Sequence, residues 1–379
     1  MPKRATLATL VAISIIIGTG LSALGQAPAA KVSVPTFQPD TTWPPALPNN
    51  WVLGSITSVA VDGRDHTWIL HRPRTVKAAD GKRAAPPVIE FDPAGKFVQA
   101  WGGPSTAYEW PDNEHGIYVD DRGVVWIGGN AGTGAQFLQE PWRDDDMLLK
   151  FSRQGKFLLQ IGRRDQSGGN KDTTNLKEPA DLVLYRKANE LIVADGYGNR
   201  RVIVLDADTG AFKRMWGAFG NTPLDGPQAP PRGAPAPPPP PRVNFTEPGP
   251  PQFGRPVHAI KVSNDGLVYV ADRGNGRIQV FTVEGKYLRQ LFINPAGSPG
   301  AIALSPDAAQ QFLYVGDGAN SRIVIVNRKS LEIVGEFVKK GSLSPHHIAV
   351  DSKGNIYTAE LNRGTQRLAF KGMSTGATQ

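Results

Sequence analysis

The chain has 379 residues, 40% of them hydrophobic, with 42 Gly and 33 Pro, which suits one large turn-rich domain or two small ones. It has no cysteine, and that excludes disulfides, thiolate metal sites and a lipid-modified cysteine. The formal charge of +8 comes from Lys and Arg that are scattered rather than striped, so no nucleic-acid partner is expected.

The first element is a leader. Lys3 and Arg4 precede an apolar stretch from Ala5 to Leu24, and small residues follow. This predicts an export signal over 1–27, with cleavage after Gly25 or Ala27 and a periplasmic or extracellular product. The stretch is long for a signal, which leaves an uncleaved membrane anchor as the alternative. An exported protein without disulfides must be held by its own core. Residues 28–50 read as an extended segment, 51–372 as the folded body and 373–379 as a tail.

Within the body one pattern recurs. A short apolar strand ends near Asp or Ser, a tight polar turn leads to a second strand, and two more strands follow around a Gly-containing turn. The clearest copy runs from His258-Ala259-Ile260-Lys261-Val262 through Leu267-Val268-Tyr269-Val270 to Arg277-Ile278-Gln279-Val280-Phe281. Equivalent first strands open near Thr57, His115, Ala180, Gly300 and His346, giving six units of alternating strands. Four short strands per unit predict an all-β, six-bladed propeller. The last unit is one strand short after Phe370, so a segment around residues 31–37 is expected to complete it and close the ring. The repeated pairs Asp195/Arg201, Asp272/Arg277 and Asp317/Arg322 read as structural braces of the repeat rather than as catalytic groups.

Turns of the first-to-second and third-to-fourth strand class are short throughout. Every long insertion, at 72–87, 128–145, 163–178 and 222–252, falls on the opposite face, which marks that face for binding. Residues 227–241 are nearly all Pro, Ala, Gly and Arg and cannot build a core. A tolerated insertion is favoured there over a lid or docking strip.

The residues opening the inner strands are, in order, Thr57, His115, Ala180, His258, Gly300 and His346. Alternate blades thus carry His, and the chain has six His in all. Three imidazoles around a channel mouth with an open fourth position predict a metal site of His115, His258 and His346, with zinc the first choice. His66 falls in a tight turn on the far face and reads as exposed. His71 could line the site. His347 follows a ligand, and strict alternation along a strand turns it to the other side, in a packing or supporting role.

The phrases "ADRGNGRIQVF", "ADGYGNRRVIVL" and "GDGANSRIVIV" resemble the NHL repeat family over roughly residues 54–370. The histidine phrases "EHGIYVD", "PVHAIKV" and "SPHHIAVD" resemble the ligand motifs of peptidyl-α-hydroxyglycine α-amidating lyases. Three further likenesses follow: "ILHRPR" to "FHRGD", "VADGYGNRRV" to "VSDGYCNSRI" and "VADRGNGRIQVF" to "VADRENGRIQCF". They imply an active-site arginine at Arg72, a catalytic tyrosine at Tyr197 and a second arginine at Arg273. The family pattern has Asp after the third His, serving a calcium ion; His347 stands there, which puts calcium in doubt. Nothing upstream resembles the copper monooxygenase that makes the lyase's substrate.

The resemblance implies a lyase that gives an amide and a glyoxylate-type product. Tyr197 would be the general base, its phenol lowered by the metal and the arginines, with Arg72 and Arg273 holding a carboxylate. The expected partner is a small molecule or peptide carrying a carboxylate, and the expected state is a monomer. Two other readings stand beside this one. The first is a non-catalytic NHL propeller that binds a protein, peptide or glycan through its loop-rich face. The second is another metal-dependent propeller enzyme such as a lactonase.

Overall fold

The computed structural model describes residue 1 and residues 33–77, 81–132, 143–225, 246–339 and 341–375. The expected leader and the centre of the proline-rich insertion lie outside the described residues. Among those described, no helix is long and apolar enough to cross a membrane.

Six antiparallel sheets of four strands each follow one another along the chain. Their inner strands are Ser55–Val61, Glu114–Val119, Asp181–Tyr185, Val257–Val262, Pro299–Leu304 and His347–Val350. The sixth sheet takes its outer strand from the N-terminal segment. Ser33–Asp40 pairs with the last strand, Gly364–Thr375, in a register running from Ser33 opposite Thr375 to Asp40 opposite Arg367. That last strand continues past residue 372. A two-stranded parallel pairing of Trp51–Val52 with Arg83–Ala84 lies beside the first blade.

Each sheet is covered on both faces, so its middle strands are apolar at successive positions, as in Trp68-Ile69-Leu70 and Val268-Tyr269-Val270, all of them fully buried. The buried apolar residues form six clusters, one between each pair of neighbouring blades. Phe37, from the N-terminal strand, belongs to the cluster between blades five and six. The glycines of the third-to-fourth turns leave room for the preceding blade. A Cβ on Gly155 would come within 2.6 Å of the Trp101 ring and one on Gly285 within 2.7 Å of Trp216. Trp43, just past the N-terminal strand, sits over Gly95 in the same way and carries the ring from blade six to blade one.

The three Asp/Arg pairs are cross-strand braces, as their repetition suggested. Asp195–Arg201, Asp272–Arg277 and Asp317–Arg322 close at 2.8, 2.7 and 3.0 Å. In each, an Asn side chain also donates to the Asp, and the other carboxylate oxygen accepts a backbone N–H from the chain entering the blade: Lys177, Gly254 and Ser298. The brace therefore ties the loop between blades to the second and third strands.

Candidate metal centre

The residue that opens each inner strand sits at an irregularity of the ladder. Pairing skips Thr57, His115, His258 and Gly300 in blades one, two, four and five. In blades three and six, Ala180 and Asp181 share the partner Ala194, and His346 and His347 share Ala359. Such a bulge re-aims the extra side chain, here toward the channel axis, where the histidines of alternate blades converge.

The blades between them aim the rings. Nδ1 of His115 lies 2.9 Å from the Ala180 carbonyl and Nδ1 of His346 lies 2.7 Å from the Thr57 carbonyl, while Nδ1 of His258 meets the Gly300 carbonyl. A carbonyl only accepts, so each Nδ1 carries the proton and each Nε2 presents its lone pair to the axis. Burial, reinforced by the charges of neighbouring rings and of Arg72 and Arg273, pushes all three imidazoles well below their usual pKa and keeps them neutral. Nε2 of His258 and Nε2 of His346 then face each other as two acceptors 3.2 Å apart. Two lone pairs at that distance repel unless a positive charge lies between them. The edge of a tetrahedral zinc site is about 3.3 Å, from bonds of about 2.0–2.1 Å. The residues fit a metal ion.

Tyr197 stands over this trio. Its hydroxyl lies 3.0 Å from Nε2 of His115 and 3.1 Å from Nε2 of His258. The turn that carries it is wedged between blades: Val257 N–H donates to the Gly196 carbonyl, and Tyr197 N–H donates to the Glu178 carbonyl. A Cβ at Gly196 would overlap the Val257 backbone, so glycine is what lets the turn approach. Arg273, in the 3-10 turn after the second strand of blade four, donates Nε to Ser298 Oγ at 3.0 Å, and its charge favours the ionised form of the Tyr197 phenol. Arg72 ends the second strand of blade one, held by the Glu114 carbonyl at 3.0 Å and Asn130 Oδ1 at 3.2 Å. Burial pushes its guanidinium down to about 10. All six residues singled out for the site thus come from five blades to one end of the channel.

Two expectations need correction and one is refined. Without a metal, the Tyr197 phenol is raised, because burial outweighs the pull of Arg273 and Arg72. His347 does not turn away. Its ring centroid is 5.0 Å from that of His346, 5.2 Å from His258 and 5.4 Å from His115. Alternation fails at a bulge, so consecutive residues can share a side; the His-His pair at a bulge position was the available signal. His71 has no part in the site. Nδ1 accepts Gly54 N–H at 3.0 Å and Nε2 meets the Pro86 carbonyl at 3.1 Å, so it occupies in blade one the place the bracing Asp holds elsewhere. His66 lies 2.7 Å from buried Glu90, in the far-face turn.

The NHL repeat matches residues 257–281, a span that contains His258, Arg273 and the Asp272–Arg277 brace. The chain carries this repeat on a six-bladed propeller and is a distant homologue of the peptidylglycine α-amidating enzymes. It is 24% identical over 352 residues to peptidyl-glycine alpha-amidating monooxygenase B of Xenopus laevis, covering 86% of this chain and 34% of that protein. This NHL propeller thus spans about a third of that relative's length. To peptidyl-alpha-hydroxyglycine alpha-amidating lyase 2 of Drosophila melanogaster it is 24% identical over 374 residues, covering 89% of this chain and 76% of that one. A streptogramin B lyase structure superposes with a TM-score of 0.52 at 14% identity, covering 90% of this chain and 99% of that one, a likeness of fold.

Proposed function

We propose that this chain is a metal-dependent lyase that cleaves the carbon–nitrogen bond at a hydroxylated carbon attached to an amide nitrogen, releasing an amide and a glyoxylate-type aldehyde acid. The observation that carries this reading is the Tyr197 hydroxyl, held within 3.1 Å of two axis-facing imidazoles, with the charges of Arg273 and Arg72 acting on it. The name of the Drosophila relative, a lyase of peptidyl-α-hydroxyglycine, supports it.

His115, His258 and His346 would hold the ion, with zinc the first choice. Once bound, such an ion polarises a substrate oxygen and favours the charged form of a nearby phenol. Tyr197 Oη takes the proton of the substrate hydroxyl. As that carbon becomes a carbonyl, the electron pair of the breaking bond stays on the amide nitrogen, which gains one proton for the one the hydroxyl loses. Arg273, whose charge acts on Tyr197, stabilises the phenolate as it forms. Arg72, fixed by a carbonyl and an Asn, offers a pre-oriented guanidinium to the substrate carboxylate. The leader read at the N-terminus supports work outside the cytoplasm, with cleavage or retention of the leader deciding between a free and an anchored form.

The test is to give the zinc-loaded protein a peptide ending in α-hydroxyglycine and to measure glyoxylate. Wild type should release it, and Tyr197→Phe should lose about a hundredfold to ten-thousandfold in rate. A wild type that is inactive here but cleaves another substrate with metal would keep the site and remove the substrate assignment. Unchanged rates in Tyr197→Phe would remove the tyrosine's role.

A further inference from the structure

We propose that the metal centre is built from four imidazoles, with His347 as the fourth ligand; the inference rests on the reading of the trio as a metal site. The ring centroids of the trio are 4.7, 4.8 and 5.0 Å apart, and His347 adds spacings of 5.0, 5.2 and 5.4 Å. Six such similar separations place the four rings near the corners of a tetrahedron. Rings bound through nitrogen at about 2.0–2.1 Å in tetrahedral geometry would have centroids about 5 Å apart. One ligand nitrogen from each of the four lies within 4.8 Å of the others, so closing onto one ion needs only a small inward movement.

The hydrogen bonding points the same way. Nε2 of His347 is buried and has no hydrogen-bond partner. His71, which is also buried, has both of its nitrogens engaged. A native protein seldom leaves such an atom unmatched, and an ion or ordered water is the usual explanation. Four of the other five blades carry small residues at the matching position. At the position after the bulge, where blade six has His347, the adjoining blades five and one have Ala301 and Ser58, blades two and four have Gly116 and Ala259, and Asp181 of blade three is engaged by Ile260 N–H and Lys261. No carboxylate belongs to the cluster among the described residues. Four neutral imidazoles favour zinc, copper, nickel or ferrous iron over calcium and magnesium, which take oxygen donors. With four imidazoles bound, a substrate oxygen would reach the ion only by expanding it to five-coordinate, from the side that the phenol of Tyr197 marks.

The experiment loads the full chain with Zn2+ or Co2+ and counts coordinated imidazoles by X-ray absorption, for wild type and His347→Ala. Four imidazoles in wild type and three in the variant are expected. Affinity should also fall, but a residue that only steadies a ligand also weakens binding, by about 10–100-fold, so the imidazole count is what decides. Three imidazoles in wild type, or an unchanged count in His347→Ala, would overturn the fourth ligand and leave the three-histidine lyase reading intact. A wild type that binds neither ion would overturn both. The wild-type count stands alone if the variant does not fold.

Discussion

Each imidazole of the trio is aimed by a blade that has no histidine at the opening of its inner strand. Ala180, Gly300 and Thr57 supply only a carbonyl, yet that carbonyl decides which nitrogen is free. Replacing His115, His258 or His346 singly with Ala should therefore remove most of the bound metal, measured as metal per chain after dialysis, while His66→Ala should leave it in place. Retention of the ion in all three variants would mean the axis is not the binding point. The trio was legible in the sequence because the six inner strands can be aligned and one position alternates between His and small residues. His347 was not, since the rule of alternating sides holds only where the ladder is regular. The raised phenol of Tyr197 was hidden as well: sequence places two arginines beside it but cannot weigh them against complete burial.

Among the blades, breaking a brace should cost most where both partners are fully buried. Asp272 and Arg277 are both fully buried, so Asp272→Ala leaves a guanidinium without its counter-charge and should cost about 3–5 kcal/mol by urea unfolding. Asp317→Ala should cost less, because Arg322 is 12% exposed and keeps Glu336 at 2.7 Å. Equal losses would show that the buried charge is not what matters. These braces could be read beforehand from an Asp and an Arg recurring around the same turn. The counterpart in blade one could not, because a histidine there accepts the N–H that a carboxylate accepts elsewhere. The outer strands have their own device. The third-to-fourth strand ladders of all five blades whose strands are consecutive are interrupted near the outer-strand start, which twists each exposed edge out of register for pairing with another chain.

For the whole molecule, the ring depends on its N-terminal strand. The need for such a strand was legible from the missing fourth strand of the last unit, and the described strand, Ser33–Asp40, runs three residues past the 31–37 expected. Asp40 is part of the seam. Hydrogen bonds from Thr42, and then Arg367, hold its carboxyl down to about 2. A depressed carboxyl stabilises the fold above its unfolded value, about pH 4, and that contribution is lost as pH falls through about 2. Wild type should therefore lose its stability advantage over Asp40→Asn between those values in an acid titration followed by circular dichroism. A constant difference across that range would exclude the carboxylate as the source.

The register of the seam has a mechanical consequence. Ser33 lies opposite Thr375, so the two ends of the pairing through which the chain would be pulled are neighbours at the same end of one antiparallel ladder. Tension applied through the termini loads the hydrogen bonds of that ladder one after another instead of all together, as in a zip drawn from its tab. In a stretching experiment the first event should be a low-force opening of blade six, with the other blades still folded.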